Sequence, residues 1–328
     1  MRLSLQSEEK KMSKVYVLGS INADLVAVSD NFPKAGETIH GKSFSCFSGG
    51  KGANQAVAAT RLGSDVALIG AIGTDYFGQG LKEFLNNENI STQYIAEHPH
   101  LTTGVAVISV AGGDNKIIVI AGANEAVSPE SIRHIPLQAK SVCVAQLETP
   151  VTTVQAFFQR AKESGAICIL NPSPSTKEGG ILFQLADIIV MNETELSFFC
   201  GSNIHENTPT AELLTHISSL APTVDQYTVV TLGSRGAIVF RGQELHLELP
   251  GHKVLVVDST GAGDCFCGAL AHFLSSGLSV SASVTRANQA AALSVQKAGA
   301  STSMPTASEL EKAWSESNPS PIESAKRH

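Results

Sequence analysis

Apolar runs of four to six residues alternate with amphipathic stretches along most of the chain. The run within Lys14 to Leu18, closed by Gly19, is apolar at every strand position, the pattern of a strand buried on both faces. Glu37 to Phe47 is rich in Thr, Ile and Phe and reads as β, and an alanine-rich helix then opens near Gly52 and runs to Leu62, stopped by Gly63. Asp65 to Gly70 predicts a strand and Phe77 to Asn89 a helix. Gly104 to Val110 and Lys116 to Ala121 predict a hairpin about Gly112-Gly113-Asp114-Asn115. From Ser141 onward the alternation is regular. Strands are expected at Ser141 to Gln146, Ala166 to Leu170, Ile188 to Met191 and Tyr227 to Leu232, with helices at Thr152 to Ser164, from Thr194 and from Pro209. Such a pattern specifies a parallel sheet covered on both faces. The segments at about 21–28, 37–48 and 104–121 do not fit it, and a second, small sheet is the simplest place for them.

Toward the end, Val257 to Leu274 reads as a strand, a glycine turn and a helix starting near Gly263. Phe266, Ala269, Leu270, Phe273 and Leu274 form its apolar face, and Gly277 can close it. Ser279 to Ala298 predicts another helix, ended by Gly299. A leader over 1–13, one globular unit over 14–315 and a Ser- and Pro-rich tail over 316–328 complete the expected organisation.

Composition narrows the function classes. With 43% hydrophobic and 16% charged residues among 328, this is ordinary globular composition. A net charge of −7 argues against nucleic acid as the main partner. No run of about 18 apolar residues is present, and the polar start does not read as a secretory signal. Six cysteines without paired spacings read as reduced, mostly buried thiols, which suggests a cytoplasmic protein, with nuclear presence open. The ten histidines include no pair at metal-ligand spacing on one element.

Candidate chemistry collects where strands end. Gly261-Ala262-Gly263-Asp264 stands at a helix start, where backbone N–H groups lack partners and an anion is welcome. Asp264 then reads either as a general base beside an anion hole or as an ordinary acidic helix N-terminus. After the first strand, Asn22 and Asp24 share a face and offer an amide and a carboxylate to neighbouring hydroxyls, or serve as turn residues. Gly49-Gly50-Lys51-Gly52-Ala53-Asn54-Gln55 allows close backbone approach but is not a Walker P-loop, because Gly52 stands where Ser or Thr should follow the lysine. No Gly-x-Gly-x-x-Gly follows the first strand, against a nicotinamide oxidoreductase. Gln146-Leu147-Glu148, Asn171-Pro172, Asn192-Glu193-Thr194-Glu195 and Thr231 to Gly236 add polar residues to the same rim.

The two glycine stretches, Gly49 to Ala56 and Asp258 to Asp264, together resemble the paired signatures of PfkB-type carbohydrate kinases, and the match is closest to the ribose-phosphorylating branch. The other rim motifs fall in the same order, over roughly Val15 to Pro305. The resemblance implies a doubly wound, mostly parallel α/β sheet with helices on both faces and a small β-sheet lid that closes over sugar. It implies ATP-dependent phosphorylation of D-ribose at the 5-hydroxyl, with Asp264 as base and Gly261, Ala262 and Gly263 around the anion hole. Asn22, Ala23, Asp24, Gly50, Lys51, Gly52, Ala53, Asn54 and Glu148 would hold the sugar. Asn192, Thr231, Leu232, Gly233, Ser234, Arg235, Gly236, Gly263, Asp264 and Asn288 would line ATP. Asn192 and Glu195 would help to place Mg2+, indirectly, through water. Asp258, Thr260, Ser294, Lys297, Gly299 and Ser303 fall where that branch binds a monovalent cation, K+. Ser259 replaces a more usual Thr, and Ser48 a more usual apolar residue. Related acceptors (2-deoxyribose, fructose, a nucleoside) and a catalytically silent sugar-binding regulator are the alternatives. The exposed edges of a small lid suggest a homodimer formed through it.

Overall fold

The computed structural model describes residues 12–317. Strands β1 (Val15–Leu18), β2 (Asn22–Ser29) and β3 (Ser43–Gly49) precede helix α1 (Lys51–Arg61). β4 (Val66–Gly73), α2 (Tyr76–Asn87), β5 (Ser91–His98), β6 (Gly104–Ala111) and β7 (Asp114–Ile120) follow. Next come β8 (Val142–Ala145), α3 (Val151–Ser164), β9 (Ile167–Leu170), β10 (Ile188–Asn192), α4 (Glu193–Cys200), α5 (Thr210–Ser219) and β11 (Tyr227–Thr231). β12 (Gly236–Arg241), β13 (Glu244–Pro250), α6 (Ala262–Ser275), α7 (Val280–Ser294) and α8 (Ala307–Ser317) close the described chain.

The large sheet has the order β13-β12-β11-β10-β9-β8-β1-β4-β5. From β11 to β5 every neighbour is parallel, and β12 and β13 add an antiparallel edge. Its all-apolar strands serve two cores at once. Val15 and Val17 of β1 pack with α1, α2, α6, α7 and α8, whereas Tyr16 and Leu18 pack with α3, α4 and α5. Val142 and Val144 against Cys143 and Ala145 of β8 divide in the same way. The period of two, with both phases buried, is why these strands show no polar alternation. The strand order reverses between β1 and β8, and their carboxyl ends open the crevice where such sheets bind ligands.

The small sheet has the order β3-β2-β6-β7, with β2 and β6 parallel and the other two pairs antiparallel. β2 continues almost directly from β1, and α1 begins two residues after β3, so the lid is rooted in the crevice.

Several expectations need correction. Residues 37–42 are not a strand; β3 starts at Ser43. No strand precedes the late glycine turn: the backbone N–H groups of Val257 and Asp258 bond the Val295 carbonyl rather than a neighbouring strand, and Leu255 to Val257 are exposed. α7 ends at Ser294 rather than near Ala298, and the chain then forms α8, whose Leu310 is buried in the main core. β5, β12 and β13 were not predicted. The leader and tail lie outside the described residues, apart from Met12, Ser13, Glu316 and Ser317; Ser13 donates twice to the Ser275 carbonyl. Among the described residues no helix is long and apolar enough to cross a membrane.

One buried histidine sets a stability limit. Burial, and then Arg286, pushes His272 down to about 4, and its Nδ1 lies 2.9 Å from the Ser64 hydroxyl. The unfolded chain binds this proton near pH 6.5 while the folded chain refuses it until near 4, so stability falls as pH drops through that window. The expected loss between pH 7 and 4 is about 2–3 kcal/mol. Thermal melts at pH 7 and 5 should show it, with a shallower fall in His272→Gln.

Candidate active site

α6 starts from Gly261, which adopts φ 76° where a Cβ would press on Ala300. The Ala262 amide turns back to the Ser259 carbonyl at 3.2 Å, so Gly263 and Asp264 supply the partnerless N–H groups of the first turn. Of the three amides Ala262, Gly263 and Asp264, two are thus left to face the cleft. A Cβ on Gly263 would meet no atom within 4 Å, so the chain leaves open space above this residue. A cleft of about 150 Å³ lies here, between Gly261 to Asp264 and the residues Lys51, Asn171, Asn192, Glu195, Thr231 and Ser259.

Asp264 is buried, 6% exposed, and both carboxylate oxygens are held by α1. Asn54 Nδ2 donates to Oδ2 at 3.0 Å and Gln55 Nε2 to Oδ1 at 2.9 Å. Asn54 Oδ1 is buried and has no partner, an acceptor without a donor. Burial opposes the charge of Lys51, but Asp264, Glu148 and Glu195 outweigh it and hold the ammonium above its ordinary range. This places a lasting positive charge between the two ends of the cleft.

The foot of the lid supplies the other predicted groups. β2 pairs Asn22 with both Gly49 and Gly104, so three lid strands converge on one buried amide. Asn22 Oδ1 accepts from Asn124 Nδ2 at 2.8 Å, and Asn124 Oδ1 accepts from the Ile21 N–H at 3.0 Å. The carboxylate of Asp24 lies across Gly49, where a Cβ would come within 2.1 Å of it. Burial, and then the negative neighbours Glu148 and Asp264, push the Asp24 carboxyl up to about 7. Glu148 accepts from the Lys51 N–H at 3.1 Å and from the Ser20 hydroxyl. Gly50 has φ 85°, and Gly52 packs its bare Cα against the Gly19-Ser20 backbone. Ala23 and Ala53 are buried core residues, able to serve a ligand only through their backbone.

Asn192 and Glu195 are brought to the cleft but already bond one another's N–H groups, at 2.8 and 2.9 Å, as a capping box opening α4. Thr231 lines the same cleft, while Leu232 is buried and Gly233 to Arg235 form a short turn. The Arg235 guanidinium is engaged by the carbonyls of Glu206 and Thr208, the Thr210 hydroxyl and the Glu248 carboxylate. Ser234 bonds Glu206 through its hydroxyl, and Asn288 reaches the Pro250 carbonyl at 3.0 Å. Gly236, at φ 104°, sits where any Cβ would strike the β13 backbone.

Asp258 accepts from the N–H groups of Thr260 and Gly299, both at 2.9 Å, which joins the turn before α6 to the loop after α7. Burial opposes its charge, but these bonds and the Thr260 hydroxyl hold it below the usual carboxylate range. Ser294 and Ser303 are buried beside this loop, and the Lys297 ammonium pairs with Glu309. Sequence reasoning missed Arg61, which pairs with Glu88 and donates to the carbonyls of Thr302 and Met304, tying α1 to this loop. Gln146 and Asn171, which the sequence placed on the polar rim without a role, stand behind Gln55.

A family model described as pfkB family carbohydrate kinase matches residues 12–307. A ribokinase of Lactococcus lactis is 37% identical over 302 residues, 91% of this chain and 96% of its own. A deoxyribokinase of Salmonella typhi is 36% identical over 301 residues, 89% and 95% of the two chains. The structure of Arabidopsis thaliana ribokinase complexed with ribose and ATP superposes with a TM-score of 0.82 at 29% identity, covering 92% of this chain and 98% of that one. The family match and relatives similar throughout their length agree, and the chain belongs to the pfkB family of carbohydrate kinases.

Proposed function

We propose that this chain phosphorylates D-ribose at its 5-hydroxyl with ATP, giving D-ribose 5-phosphate and ADP. The observation that carries this reading is Asn54. Its nitrogen is spent on Asp264 while its buried oxygen lacks a donor, which suits a sugar hydroxyl arriving beside the base. Asn22, Asp24 and Glu148 offer further oxygens for the remaining hydroxyls, and no ring in this group would stack a nucleobase.

Asp264 takes the proton of the primary hydroxyl as its oxygen forms a bond to the γ-phosphorus, and the bond from that phosphorus to the bridging oxygen of ADP breaks in line. The Gly263 and Asp264 amides, the α6 dipole and the Lys51 ammonium stabilise charge on the phosphoryl oxygens. Closure of the lid excludes water from this step.

Magnesium fits the donor set only at second hand, since Asn192 and Glu195 cap α4 and no cluster of three metal-binding side chains exists among the described residues. When bound on the phosphates, it neutralises their charge. A monovalent cation fits the Asp258 loop, where the carboxylate and nearby hydroxyls and carbonyls provide oxygen; Lys297, its ammonium engaged, has only a carbonyl to offer. There it would stiffen the turn before α6.

ADP release across a panel of pentoses, hexoses and nucleosides tests the assignment, with ribose expected to give the highest kcat/KM. The Salmonella deoxyribokinase makes 2-deoxyribose the second reading. A nucleoside preferred over every sugar, or ATP hydrolysis independent of sugar, would overturn the first. Gly263→Ala should fold with a Tm at or above the parent, since its methyl meets open space. It should nonetheless lose roughly 10–100-fold in kcat/KM for ATP, because that space is where the phosphate sits.

For assembly, the edge strands β3 and β7 each pair on one side only and carry exposed Phe44 and Ile117 to Ile120. A homodimer through the lid would cover them. Light scattering at assay concentration should give twice the chain mass.

A further inference from the structure

The amides behind Asp264 form a chain of defined polarity. The Val190 carbonyl can only accept, and Asn171 Nδ2 lies 3.0 Å from it, so Asn171 turns its oxygen toward Gln55. Gln55 Nε2 lies 3.3 Å from that oxygen and 2.9 Å from Asp264 Oδ1. Two acceptors around one end admit only the nitrogen there. The Gln55 oxygen therefore faces outward, and Gln146 Nε2 donates to it at 2.6 Å. Reversing any of the three amides sets acceptor against acceptor or donor against donor. Gln55 and Gln146 are fully buried and Asn171 nearly so, which leaves water little part in correcting a reversal.

We propose that Gln55 and Gln146 are positioning residues for phosphoryl transfer: Gln146 holds the Gln55 amide donor-first on Asp264, so the carboxylate keeps one fixed orientation and a free lone pair toward the cleft. This rests on the reading of Asp264 as the proton acceptor. Asn54 and Gln55 are the only side chains hydrogen-bonded to it among the described residues. The other titratable groups near it are Lys51 on α1, Asp24 on β2, and Cys265 and Cys267 on its own helix, with Glu148 and Glu195 facing Lys51.

Gln146→Glu presents only acceptors to the Gln55 oxygen, so that amide meets acceptors at both ends and its donor no longer holds Asp264 in one orientation. The kcat for ribose is expected to fall roughly 10–100-fold with KM for ATP unchanged. The acid limb of the kcat/KM profile should move up by about one pH unit, because a carboxylate that loses a fixed donor retains its proton. Gln146→Leu removes the donor without inserting an acceptor, and its limb should stay at the parental pH. Gln55→Met moves the limb upward by itself, and adding Gln146→Glu to it should give less than the sum of the two shifts. An unmoved limb in folded Gln146→Glu, or full additivity with Gln55→Met, overturns the proposal. Should Gln146→Glu fail to fold, Gln55→Met decides alone: parental kcat with an unmoved limb overturns it. Asp264→Asn measured alongside separates the premises, since an active variant defeats the base assignment itself, whereas an inactive one with an unmoved Gln146→Glu limb defeats only the relay.

Discussion

Asp264→Asn is expected to lower kcat by roughly 10²–10⁴ while the chain still folds. The carboxylate it replaces accepts from two amide donors, so an asparagine must set its own nitrogen against either Asn54 Nδ2 or Gln55 Nε2. That mismatch costs about 1–2 kcal/mol of stability, small beside the loss of the base. The anion-binding amides remain, so KM for ATP should change little. Turnover within about tenfold of the parent, at unchanged circular dichroism, would remove Asp264 from the chemistry.

A large structural effect is expected at Gly52, where α1 meets the turn after β1. A Cβ there would lie 2.5 Å from the Gly19 carbonyl carbon and 2.7 Å from the Ser20 nitrogen, both backbone, so nothing soft can move aside. Gly52→Ala must push α1 off the turn that follows β1, at a cost of about 3 kcal/mol and roughly 5–10 °C in Tm. Because α1 carries Asn54 and Gln55, activity should fall together with stability. Gly80→Ala on α2, where a Cβ meets nothing within 4 Å, is the control and should leave both unchanged or slightly improved. A Gly52→Ala protein melting within about 2 °C of the parent would show that the contact relaxes freely.

Most of the architecture was legible because the central strands are apolar in both phases and the helices between them keep a clean period. Val15 to Leu18 and Val142 to Ala145 could be little else. β13 was missed although Leu245, Leu247 and Leu249 alternate with Glu, His and Glu, because an edge strand with one wet face resembles a loop when read alone; β12, apolar and buried from Gly236 to Phe240, carried the same signal as the central strands and was passed over. Leu255 to Val257 misled in the opposite direction: apolar and β-branched residues suggest a strand, yet among the described residues no strand pairs with them and they remain exposed. At the site, Asp264, Lys51, Asn54, Asn22, Asp24 and Glu148 stood out as polar or charged residues beside strand ends and glycine turns, and only the family resemblance gave them roles. Gln55, inside α1, and Gln146 and Asn171, at strand ends, were given no role, since neutral amides look like packing or caps until three distant segments meet. Asn192 and Glu195 show a further ambiguity, because the same spacing serves a helix cap and a ligand.

The root of the lid has a consequence for how such a chain diversifies. β3 hands over to α1 at Gly50, so the pair β2–β3 and the two amides that hold Asp264 behave as one mechanical piece. Within the small sheet, β6 and β7 join that piece through β2. Altering β6 and β7 is expected to retune which alcohol is admitted at little cost to rate, whereas altering β2 and β3 should disturb selection and turnover at once.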